Sequence, residues 1–554
     1  MRKILALFLL CLSVQPLLSA AETTLPHHNM VVSAHPLASQ AGMQALQQGG
    51  NAFDAAAAVA LSIGVVEPMG SGIGGGGFFL LYIAKEDRYV MLDARETSPI
   101  LAGHGEVYQT QSSINGPQAA GVPGLLAGVD HLIEKYGRLP REMNTFHAIS
   151  LARGGFAVDK HYQAVANWRK KALQNNMARH IYLRNNQVPP LGTNIQQKAL
   201  AETLVRFAQA GADDFYRGET AGRLIADMKR DGGLIREADL AAYRVIEREP
   251  VRFFYQDFEW VSASLPSSGG LVLAETLGIL QDDDLSNMPK TQATHLLIEA
   301  MKLAYRDRNA HLADADQVNI PDLLHAPRLK KLRQRINSQH STPSSSVQAD
   351  PSGAAVDTTH FSIIDQEGNM VSATLSINYG FGSAYVSPST GILLNDEMDD
   401  FATKPGQANA YGLVQGKANA VAPHKRMLSS MSPTFIVGKD KTMLLGTPGG
   451  SRIISMVLLS GLAFVQDEHD LTTNHAVQTL VNQPRFHHQY LPDVVQYEAG
   501  AFSADMLKSL QHQGHQLQEK RQYGNMQAII WDKQTGKVTG AADSRGQGSA
   551  LHAQ

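Results

Sequence analysis

The stretch AAVDTTHFSII, residues 354–364, places a threonine where it could act as a nucleophile. A threonine hydroxyl is a weak nucleophile and needs a neighbouring base. An N-terminal threonine supplies that base itself, because a free α-amine has a pKa of about 7.7–8.0 and is partly neutral near physiological pH. Thr358 can play this role only if the bond between Asp357 and Thr358 is cut. The polar run before it and the apolar strand after it suit such a cut, but they also suit an ordinary entry into a strand.

Two consecutive glycines are candidates for stabilising an oxyanion. In TPGG, Gly449 and Gly450 follow a predicted strand and precede a predicted apolar helix. Their backbone N–H groups would lie at the positive end of that helix, unobstructed by side chains, which suits an oxyanion hole. A simple glycine turn between strand and helix explains the same residues.

Three further stretches carry hydroxyl or charged groups that could bind a polar substrate. Ser429 and Ser430 lie in the hydroxyl-rich turn LSSMSP, and Glu397 and Asp400 are three residues apart in NDEMDDF. Arg95 follows the end of a predicted strand in MLDARE. Each has an ordinary structural explanation as well: hydroxyls that satisfy local backbone, a solvated acidic loop, and a surface ion pair. Taken one at a time, these residues do not decide the function.

Two motifs that would indicate a cofactor or a metal lack the required context. GSGIGG, residues 70–75, matches the dinucleotide-binding fingerprint, but a helix precedes it and a strand follows, which is the reverse of the required order. A packed loop with a close backbone approach explains these glycines better. The adjacent His487 and His488 in RFHHQ would point to opposite faces of a strand and have no acidic partner at ligand spacing. We therefore expect them to have a structural role.

The elements that would position these groups alternate between helices and strands. Asn51 caps a helix that is apolar nearly all round and is therefore expected to be buried, and a hairpin follows it. Residues 125–335 are predicted to be mainly helical, and the polar residues 338–355 are expected to be flexible. A second block of strands begins at Thr358. The main predicted helices are PLASQAGMQALQQ, AFDAAAAVALSIGVV and SRIISMVLLSGLAFV, and the predicted strand pairs are GGFFLLYI with YVMLDA, TTHFSIID with MVSATLSI, and TFIVG with KTMLLGT.

Composition and the N-terminus indicate a large, soluble, exported protein. The chain has 554 residues, 43% of them hydrophobic and 18% charged, and its length alone favours about three or four domains. The formal charge of −3 does not suggest nucleic acid or an anionic membrane as a partner. Residues 1–21 indicate a secretory signal peptide, with an uncleaved anchor as the alternative. Because the only cysteine, Cys11, lies in this segment, the mature chain can form neither disulfides nor cysteine-ligated metal sites.

Many of these stretches, taken together and in their order along the chain, closely resemble the γ-glutamyltransferase family. The resemblance covers essentially the whole mature chain and is highly specific as a set. The matching stretches are GGNAFDAAAAVA, GIGGGGF, GVPGLLAGVDHLIEKYGRLP, LPSSGG, EAMKLAYRDR, TTHFS, GILLNDEMDDF, KRMLSSMSP, TPGGSR and QPRFHHQ.

The resemblance implies an α/β fold of the N-terminal-nucleophile hydrolase type, a four-layer αββα sandwich. It also implies that a precursor cuts itself into a large subunit, residues 22–357, and a small subunit, residues 358–554, which remain one structural unit. Thr358 matches the threonine that attacks the carbonyl preceding it and then serves as the catalytic nucleophile. Ser376 lies where members commonly carry a threonine that hydrogen-bonds this nucleophile. Gly449 and Gly450 match the oxyanion pair.

The resemblance also implies which residues bind the substrate. Those that hold the α-carboxylate of the glutamyl group correspond here to Arg95, Ser429 and Ser430. Those that hold its α-amine correspond to Asn378, Glu397 and Asp400. The stretch PGQANAYGLVQGKANAVAPHKR resembles a lid loop, with Tyr411 as its aromatic latch. Two departures from the family are Asp396, where a second asparagine is common, and Asp357, which could alter the rate of maturation.

The implied reaction is acyl transfer in two steps, without a metal or an organic cofactor. Thr358 takes the γ-glutamyl group from glutathione or another γ-glutamyl amide, and water, an amino acid or a dipeptide then removes it. A related amidase, such as a cephalosporin or glutaryl acylase or a poly-γ-glutamate hydrolase, would keep the nucleophile and change the pocket. A secreted binding protein that never matures would use the same cleft to hold amino acids. The expected location is the periplasm or the exterior, with no nucleic acid as a partner and no membrane span after signal removal.

Overall fold

The computed structural model describes residues 23–174, 177–344, 358–404, 406, 413–466 and 473–553. The predicted signal peptide, Asp357 and Tyr411 lie outside these residues. None of the helices within these ranges is both long enough and apolar enough to cross a membrane.

Helices and strands alternate along the described chain. The helices are α1 (Pro36–Gln47), α2 (Ala52–Val66), α3 (Leu125–His131), α4 (Arg141–Gly154), α5 (Lys160–Leu173), α6 (Ala178–Tyr182), α7 (Lys198–Ala210), α8 (Ala212–Arg217), α9 (Glu219–Asp231), α10 (Glu237–Ala242), α11 (Gly269–Ile279), α12 (Lys290–His311), α13 (Ala326–Arg335), α14 (Arg452–Gln466), α15 (Asn474–Asn482) and α16 (Ala504–His512). The strands are β1 (Asn29–Ser33), β2 (Gly76–Ile83), β3 (Arg88–Ala94), β4 (Phe156–Ala157), β5 (Asn194–Ile195), β6 (Ile246–Arg248), β7 (Val251–Tyr255), β8 (Phe258–Ser262), β9 (Thr359–Ile364), β10 (Met370–Ser376), β11 (Thr434–Val437), β12 (Lys441–Gly446), β13 (Phe486–His487), β14 (Val495–Glu498), β15 (Leu517–Lys520), β16 (Gln527–Asp532), β17 (Val538–Ala542) and β18 (Ser549–Ala553).

Two large antiparallel sheets form the centre of the fold. The first has the strand order β18-β1-β9-β10-β2-β3-β6, and the second has the order β17-β16-β12-β11-β8-β7. The strand that follows Thr358, β9, therefore pairs with β1 on one side and with β10 on the other. The remaining described strands form two small sheets, β13-β14-β15 and β4-β5.

Alternation of side chains along β1 and β2 shows that the two large sheets are stacked. Val31 and Phe79 pack into a hydrophobic core with α1, α2, α4 and α7. Their neighbours Met30, Val32 and Phe78 pack into a second core, which also contains residues of the six-stranded sheet and of α11, α12 and α14. The layers are therefore helices, sheet, sheet and helices, which confirms the predicted αββα sandwich. The expectation of three or four domains is wrong, because the two sheets share one core.

The local predictions for the first helices and the strand pairs are confirmed. Asn51 caps α2: its side-chain oxygen accepts hydrogen bonds from the N–H groups of Phe53 and Asp54, and its own N–H donates to the Asp54 carboxylate. Every residue of α2 is buried. The predicted pairs β2–β3, β9–β10 and β11–β12 are all present.

One hairpin lies within the region that was predicted to be mainly helical. β7 and β8 pair antiparallel and extend the six-stranded sheet to its edge. The stretch VRFFYQDFEWVS is rich in aromatic residues, which favours strands. Its apolar residues do not alternate regularly, because β7 is an edge strand on which Phe254 is exposed. Periodicity alone therefore did not reveal this hairpin.

In the seven-stranded sheet, the start of β9 and the ends of β10 and β3 lie side by side, at the same end of the strands; this end is called the edge below. β9 begins next to the end of β10, because Thr359 pairs with Leu375 in antiparallel register. β3 runs in the same direction as β10, since both are antiparallel to β2, and Arg95 after β3 therefore lies at the same edge. The glycine-rich loop before β2 packs against this edge: a Cβ atom on Gly75 would lie 2.2 Å from the carbonyl oxygen of Ser376. The close approach confirms the packed-loop interpretation of these glycines.

Candidate active site

Thr358 and Ser376 face each other at this edge of the sheet. Their hydroxyl oxygens are 3.2 Å apart, and Thr358 is only 9% exposed. The N–H of Asn378 donates a 2.8 Å hydrogen bond to Ser376 Oγ. Because that oxygen already accepts a hydrogen bond, the Ser376 proton is available to donate to Thr358 Oγ1. The predicted nucleophile and the predicted supporting hydroxyl are thus brought together.

Gly449 and Gly450 lie beside Thr358 immediately before α14. Thr358 lines two cavities, and Gly450 lines the smaller one while Gly449 lines the larger. The two glycines have φ angles of 150° and 56°, in the region that favours glycine. Within the described ranges, neither N–H group donates to a protein acceptor. Two unengaged donors next to the N-terminus of a helix are suited to stabilise an oxyanion.

A cluster of buried charges surrounds Arg95. Its guanidinium nitrogens lie 2.7 Å from Glu397 Oε2, 2.5 Å from Asp400 Oδ2 and 3.5 Å from Glu96 Oε2. The side chains of Arg95, Glu96 and Glu397 are buried, and that of Asp400 is 16% exposed. One arginine therefore faces three carboxylates. The resemblance implied opposite ends of a substrate for Arg95 and for Glu397 with Asp400, whereas in the structure these residues are ion-paired with one another.

Burial disfavours the ionised form of two of these carboxylates. It raises the pKa of Glu96 to about 7 and the pKa of Glu397 well above its usual range, although the nearby charge of Arg95 opposes both shifts. Neither oxygen of Glu397 accepts a well-aligned hydrogen bond from the described residues. A second cation beside these acids would stabilise their ionised forms, so the cluster is suited to binding an ammonium group.

Ser429 and Ser430 line the smaller cavity as hydrogen-bond donors. Ser429 Oγ accepts a 3.1 Å hydrogen bond from the N–H of Met431, and Ser430 Oγ accepts a 2.9 Å hydrogen bond from the guanidinium of Arg308. Because each oxygen already receives a donor, each hydroxyl proton can be directed toward a ligand. Two adjacent hydroxyl donors suit an anionic group such as a carboxylate.

Asn378 and Asp396 shape the backbone beside the smaller cavity. Asn378 has a left-handed φ of 70°, and its side-chain amide donates a 3.1 Å hydrogen bond to the carbonyl oxygen of Asp396. The Asp396 carboxyl in turn accepts a 2.9 Å hydrogen bond from the N–H of Tyr379. Burial raises the pKa of Asp396 well above its usual range and so favours the neutral carboxyl. A neutral carboxyl resembles the asparagine amide in shape and charge, which makes this departure from the family pattern chemically conservative.

Most of the predicted residues line two cavities that share Thr358, whereas Glu397 lines neither of them and is buried against Arg95. The smaller has a volume of about 30 Å³, and its walls include Arg95, Arg308, Thr358, Ser376, Asn378, Asp400, Ser429, Ser430 and Gly450. The larger has a volume of about 500 Å³, and its walls include Glu67, Thr358, Gly449, Arg452, Lys520, Tyr523 and Arg545. The hydroxyl of Thr358 therefore lies between a small, highly polar cavity and a larger one with several basic side chains.

Several basic residues in these walls were not predicted, among them Arg308, Arg452 and Lys520. Arg308 lies on the buried face of α12, where Met301 and Tyr305 precede it at helical spacing. A charged residue on an apolar helical face was the signal that could have identified it. Arg452 begins α14 and Lys520 ends β15, and no local pattern distinguishes either from an ordinary surface residue.

The adjacent histidines make structural hydrogen bonds, as predicted. The ring of His487 lies 2.9 Å from Ser455 Oγ and 3.0 Å from Gln489 Oε1. The ring of His488 lies 3.1 Å from Asp493 Oδ1 and accepts a 3.0 Å hydrogen bond from a backbone N–H. All four ring nitrogens are thus engaged by protein groups. Within the described ranges, no group of three or more His, Cys, Asp or Glu side chains is placed to hold a metal ion.

We predict that replacing Asp396 with asparagine stabilises the protein, and more strongly at higher pH. The pKa of this carboxyl is raised from 3.8, so above about pH 4 the folded state binds a proton that the unfolded state releases. The contribution of Asp396 to stability is therefore greatest below about pH 4 and falls as the pH rises toward its folded pKa. Asparagine can accept the Tyr379 hydrogen bond without that proton.

Thermal unfolding at about pH 4 and about pH 8 measures this effect. The gain in Tm of Asp396→Asn over wild type should be larger at the higher pH. Asp257→Asn, in the exposed turn between β7 and β8, is the matched control and should show no comparable dependence. A gain that is equal at both pH values, or larger at the lower one, contradicts the prediction.

Proteins of similar sequence identify the family. The family described as Gamma-glutamyltranspeptidase matches residues 38–553. The glutathione hydrolase proenzyme of Pseudomonas sp. (strain A14) is 39% identical over 521 residues, which cover 91% of this chain and 89% of that protein.

Solved structures show the same fold. Cephalosporin acylase from Bacillus halodurans aligns with 98% of this chain and 99% of its own, at a TM-score of 0.82 and 25% identity. The γ-glutamyltranspeptidase of Helicobacter pylori aligns with 57% of this chain and 94% of its own, at a TM-score of 0.55 and 35% identity. The family match extends over nearly all of the sequence and agrees with the geometry around Thr358. The chain therefore belongs to the γ-glutamyltranspeptidase family of enzymes.

Proposed function

We propose that this chain is the precursor of a γ-glutamyltransferase and glutathione hydrolase. It cuts itself between Asp357 and Thr358 and then transfers γ-glutamyl groups to water, amino acids or dipeptides. The observation that carries the proposal is the arrangement around Thr358, whose hydroxyl lies 3.2 Å from that of Ser376 and beside two unengaged glycine N–H groups. Family membership supports the same activity.

Maturation is the first reaction in this proposal. The Thr358 hydroxyl attacks the carbonyl carbon of Asp357, and the bond from that carbon to the Thr358 nitrogen breaks while the hydroxyl proton passes to the nitrogen. Water then hydrolyses the resulting ester, which leaves a carboxylate on Asp357 and restores the Thr358 hydroxyl beside a free α-amine. The products are a large subunit, residues 22–357, and a small subunit, residues 358–554. Ser376 orients the attacking oxygen through its hydrogen bond.

Formation of the acyl-enzyme follows the same pattern with an external substrate. The freed α-amine of Thr358 accepts the proton of its own hydroxyl, and the hydroxyl oxygen attacks the γ-carbonyl of the donor. The N–H groups of Gly449 and Gly450 stabilise the negative charge that develops on the carbonyl oxygen. The C–N bond then breaks, the leaving amine departs with the proton, and the γ-glutamyl group remains as an ester on Thr358.

The smaller cavity recognises both substituents of the glutamyl α-carbon. Ser429 and Ser430 donate hydrogen bonds to the α-carboxylate, and Arg95 supplies a positive charge beside it. Asp400 and Glu397 pair with the α-ammonium group, which relieves the excess of negative charge around Arg95. A γ-glutamyl substrate that carries both an α-carboxylate and an α-ammonium group therefore finds a partner for each charge in this cavity.

Asn378 and Tyr411 complete the proposed glutamyl site. Asn378 lines the smaller cavity and is assigned to the amine end. Tyr411 lies outside the described residues and is assigned as the latch of a lid. Leu413 and Gln415, which follow it in sequence, line the smaller cavity, and this supports a covering role for the loop.

The leaving group and the acceptor are proposed to bind in the larger cavity. Arg452 and Lys520 line it, and in the described part of the chain neither forms an ion pair with an acidic side chain. Burial lowers the pKa of both residues, and the neighbouring charge of Arg452 lowers that of Lys520 further. A carboxylate would compensate these charges. Dipeptides and the cysteinylglycine part of glutathione carry such a carboxylate, which supports glutathione as a donor.

Two other functions would use the same nucleophile. A cephalosporin acylase of the glutaryl type gains nothing from three carboxylates around Arg95, because a glutaryl group has no amine. A poly-γ-glutamate hydrolase would share the glutamyl site and differ on the acceptor side. A binding protein that never matures would have no use for oxyanion donors beside Thr358. The acidic cluster and the glycine pair therefore favour the γ-glutamyltransferase.

Residues 1–21 are proposed to direct the precursor to the periplasm or to the exterior. A positively charged start followed by a short apolar core supports this location. The first residue of the purified large subunit tests it, because removal of the signal leaves residue 22 at the N-terminus.

We predict that Thr358→Ala remains one chain and is inactive, because both reactions use its hydroxyl. Purified wild type should give two N-termini, at residue 22 and at Thr358, and two bands on a denaturing gel. The measurement is intact mass with N-terminal sequencing, combined with an assay on a γ-glutamyl anilide. Thr359→Ala, next in the chain, is the comparison, since its hydroxyl donates to Glu67 and lies outside the reaction. Cleavage at another bond, or activity of Thr358→Ala, contradicts the assignment.

We also predict that wild type cleaves a γ-glutamyl anilide faster than the matching glutaryl anilide, which lacks only the amine. Loss of a hydrogen bond to a charged group costs about 1.5–3 kcal/mol, so kcat/KM should fall roughly 10- to 100-fold. Asp400→Asn should reduce this preference, because it removes one acid that pairs with the ammonium. Equal kcat/KM values for the two anilides with wild type would favour the acylase instead.

A third prediction concerns the acceptor. Transfer to glycylglycine should be faster than transfer to glycylglycinamide, which lacks the carboxylate. Lys520→Met should reduce this preference about two- to fivefold, because a partly exposed ion pair contributes up to about 1 kcal/mol. Lys508→Met, on α16 and outside the cavity, serves as the control. An unchanged preference in Lys520→Met rules out a role for this lysine in acceptor binding.

A further inference from the structure

Arg308 is a buried cation in the wall of the smaller cavity. It is 1% exposed and lies near the end of α12. Its Nε donates a 2.9 Å hydrogen bond to Ser268 Oγ, its Nη1 a 3.1 Å bond to Asn309 Oδ1, and its Nη2 a 2.9 Å bond to Ser430 Oγ. All three acceptors are neutral. Among the described residues, no carboxylate lies within ion-pair distance of it.

Burying the Arg308 charge in this way destabilises the protein when no ligand is bound. A buried charge is costly unless an opposite charge compensates it, and burial lowers the pKa of Arg308 accordingly. Arg95, in the same cavity wall, shows the contrast, because carboxylates of Glu397 and Asp400 lie 2.7 and 2.5 Å from it. Of these two arginines, Arg308 is the one without a carboxylate within ion-pair distance in the described part of the chain; the more distant charge of Asp400 only partly offsets the effect of burial on its pKa.

The hydrogen bonds of Arg308 also determine the direction of a hydroxyl proton. A guanidinium can only donate, so Ser430 Oγ must act as the acceptor in this pair. The Ser430 proton is therefore free to point into the cavity. Ser268 Oγ, which accepts the hydrogen bond from Arg308 Nε, donates a 2.7 Å hydrogen bond to the carbonyl oxygen of Ser429 and so holds the Ser429–Ser430 turn in place. One arginine thus orients the serine pair and places a positive charge behind it.

We propose that Arg308 is a positioning residue for the α-carboxylate of the substrate. It turns the Ser430 hydroxyl toward that group and places a positive charge behind it, in addition to the charge of Arg95, which also lies beside the acids at the amine end. This inference rests on the proposed γ-glutamyl activity and adds a residue to it. The chemistry recognised is a carboxylate on the carbon that also carries an amine.

Kinetics on two substrates test the proposal. A γ-glutamyl anilide carries the α-carboxylate, and a 4-aminobutanoyl anilide keeps the amine and lacks the carboxylate. Arg308→Met should lower kcat/KM for the first roughly 10- to 100-fold and change that for the second by less than about threefold. Arg308→Lys should be intermediate, since lysine keeps the charge but cannot donate to Ser268 and Ser430 in the same fixed geometry.

The control is Arg306→Met, on the same helix, where the arginine pairs with Asp307 and does not line the cavity. It should leave both kcat/KM values unchanged. A purely structural role for Arg308 would lower both values equally or would reduce the amount of mature protein on a gel. An equal loss on both substrates, or no loss on the γ-glutamyl anilide, overturns the proposal.

Binding measurements separate this proposal from the proposed activity. Titration calorimetry with L-glutamate and with 4-aminobutanoate should show that Arg308→Met weakens the binding of glutamate only. If wild type binds glutamate but cleaves no γ-glutamyl anilide, the proposed activity fails, and this titration still decides the role of Arg308. Unchanged glutamate affinity in Arg308→Met, or no binding of glutamate by wild type, overturns the role.

Discussion

Strand pairing across the bond between Asp357 and Thr358 is the constraint on which the site depends. In the seven-stranded sheet, β9 pairs with β1 and β10 pairs with β2, so strands that follow the bond are hydrogen-bonded to strands that precede it. In the six-stranded sheet, β11 pairs with β8 in the same way. Neither segment alone contains a complete large sheet. The edge that holds Thr358, Ser376 and Arg95 therefore exists only after the whole chain has folded, and a later cut leaves these pairs in place.

The electrostatics of the site follow from burial at this edge. The sheet end leaves little access to water, so the charges around Arg95 are compensated mainly by one another. The charges are not fully balanced. Three carboxylates share Arg95, while Arg308 donates hydrogen bonds only to neutral acceptors. An excess of negative charge around Arg95 and an arginine that has only neutral hydrogen-bond acceptors, both beside one cavity, suit a ligand that carries both signs of charge.

The sequence was most informative where structure is determined locally. The cap at Asn51 and the all-apolar α2 could be predicted because capping and periodicity depend on neighbouring residues. The β7–β8 hairpin could not, because its edge strand leaves Phe254 exposed and breaks the alternation. Thr358, Ser376 and the glycine pair were identified through motifs, and the structure brings them together. Arg308, Arg452 and Lys520 were missed because a basic side chain becomes informative only when its partners are known.

The ion pair between Arg95 and Asp400 bears on which ligands can enter. The smaller cavity is narrow, with a volume of about 30 Å³, and both Arg95 and Asp400 lie in its wall. A zwitterion can replace each half of the ion pair, since its carboxylate can pair with Arg95 or Arg308 and its ammonium with Asp400. Charge compensation is then maintained through the exchange, which limits the cost of separating the pair. A ligand with one charge leaves either the arginine or the acid uncompensated. The ion pair in the cavity wall is therefore a means of selecting ligands with both an α-amine and an α-carboxylate.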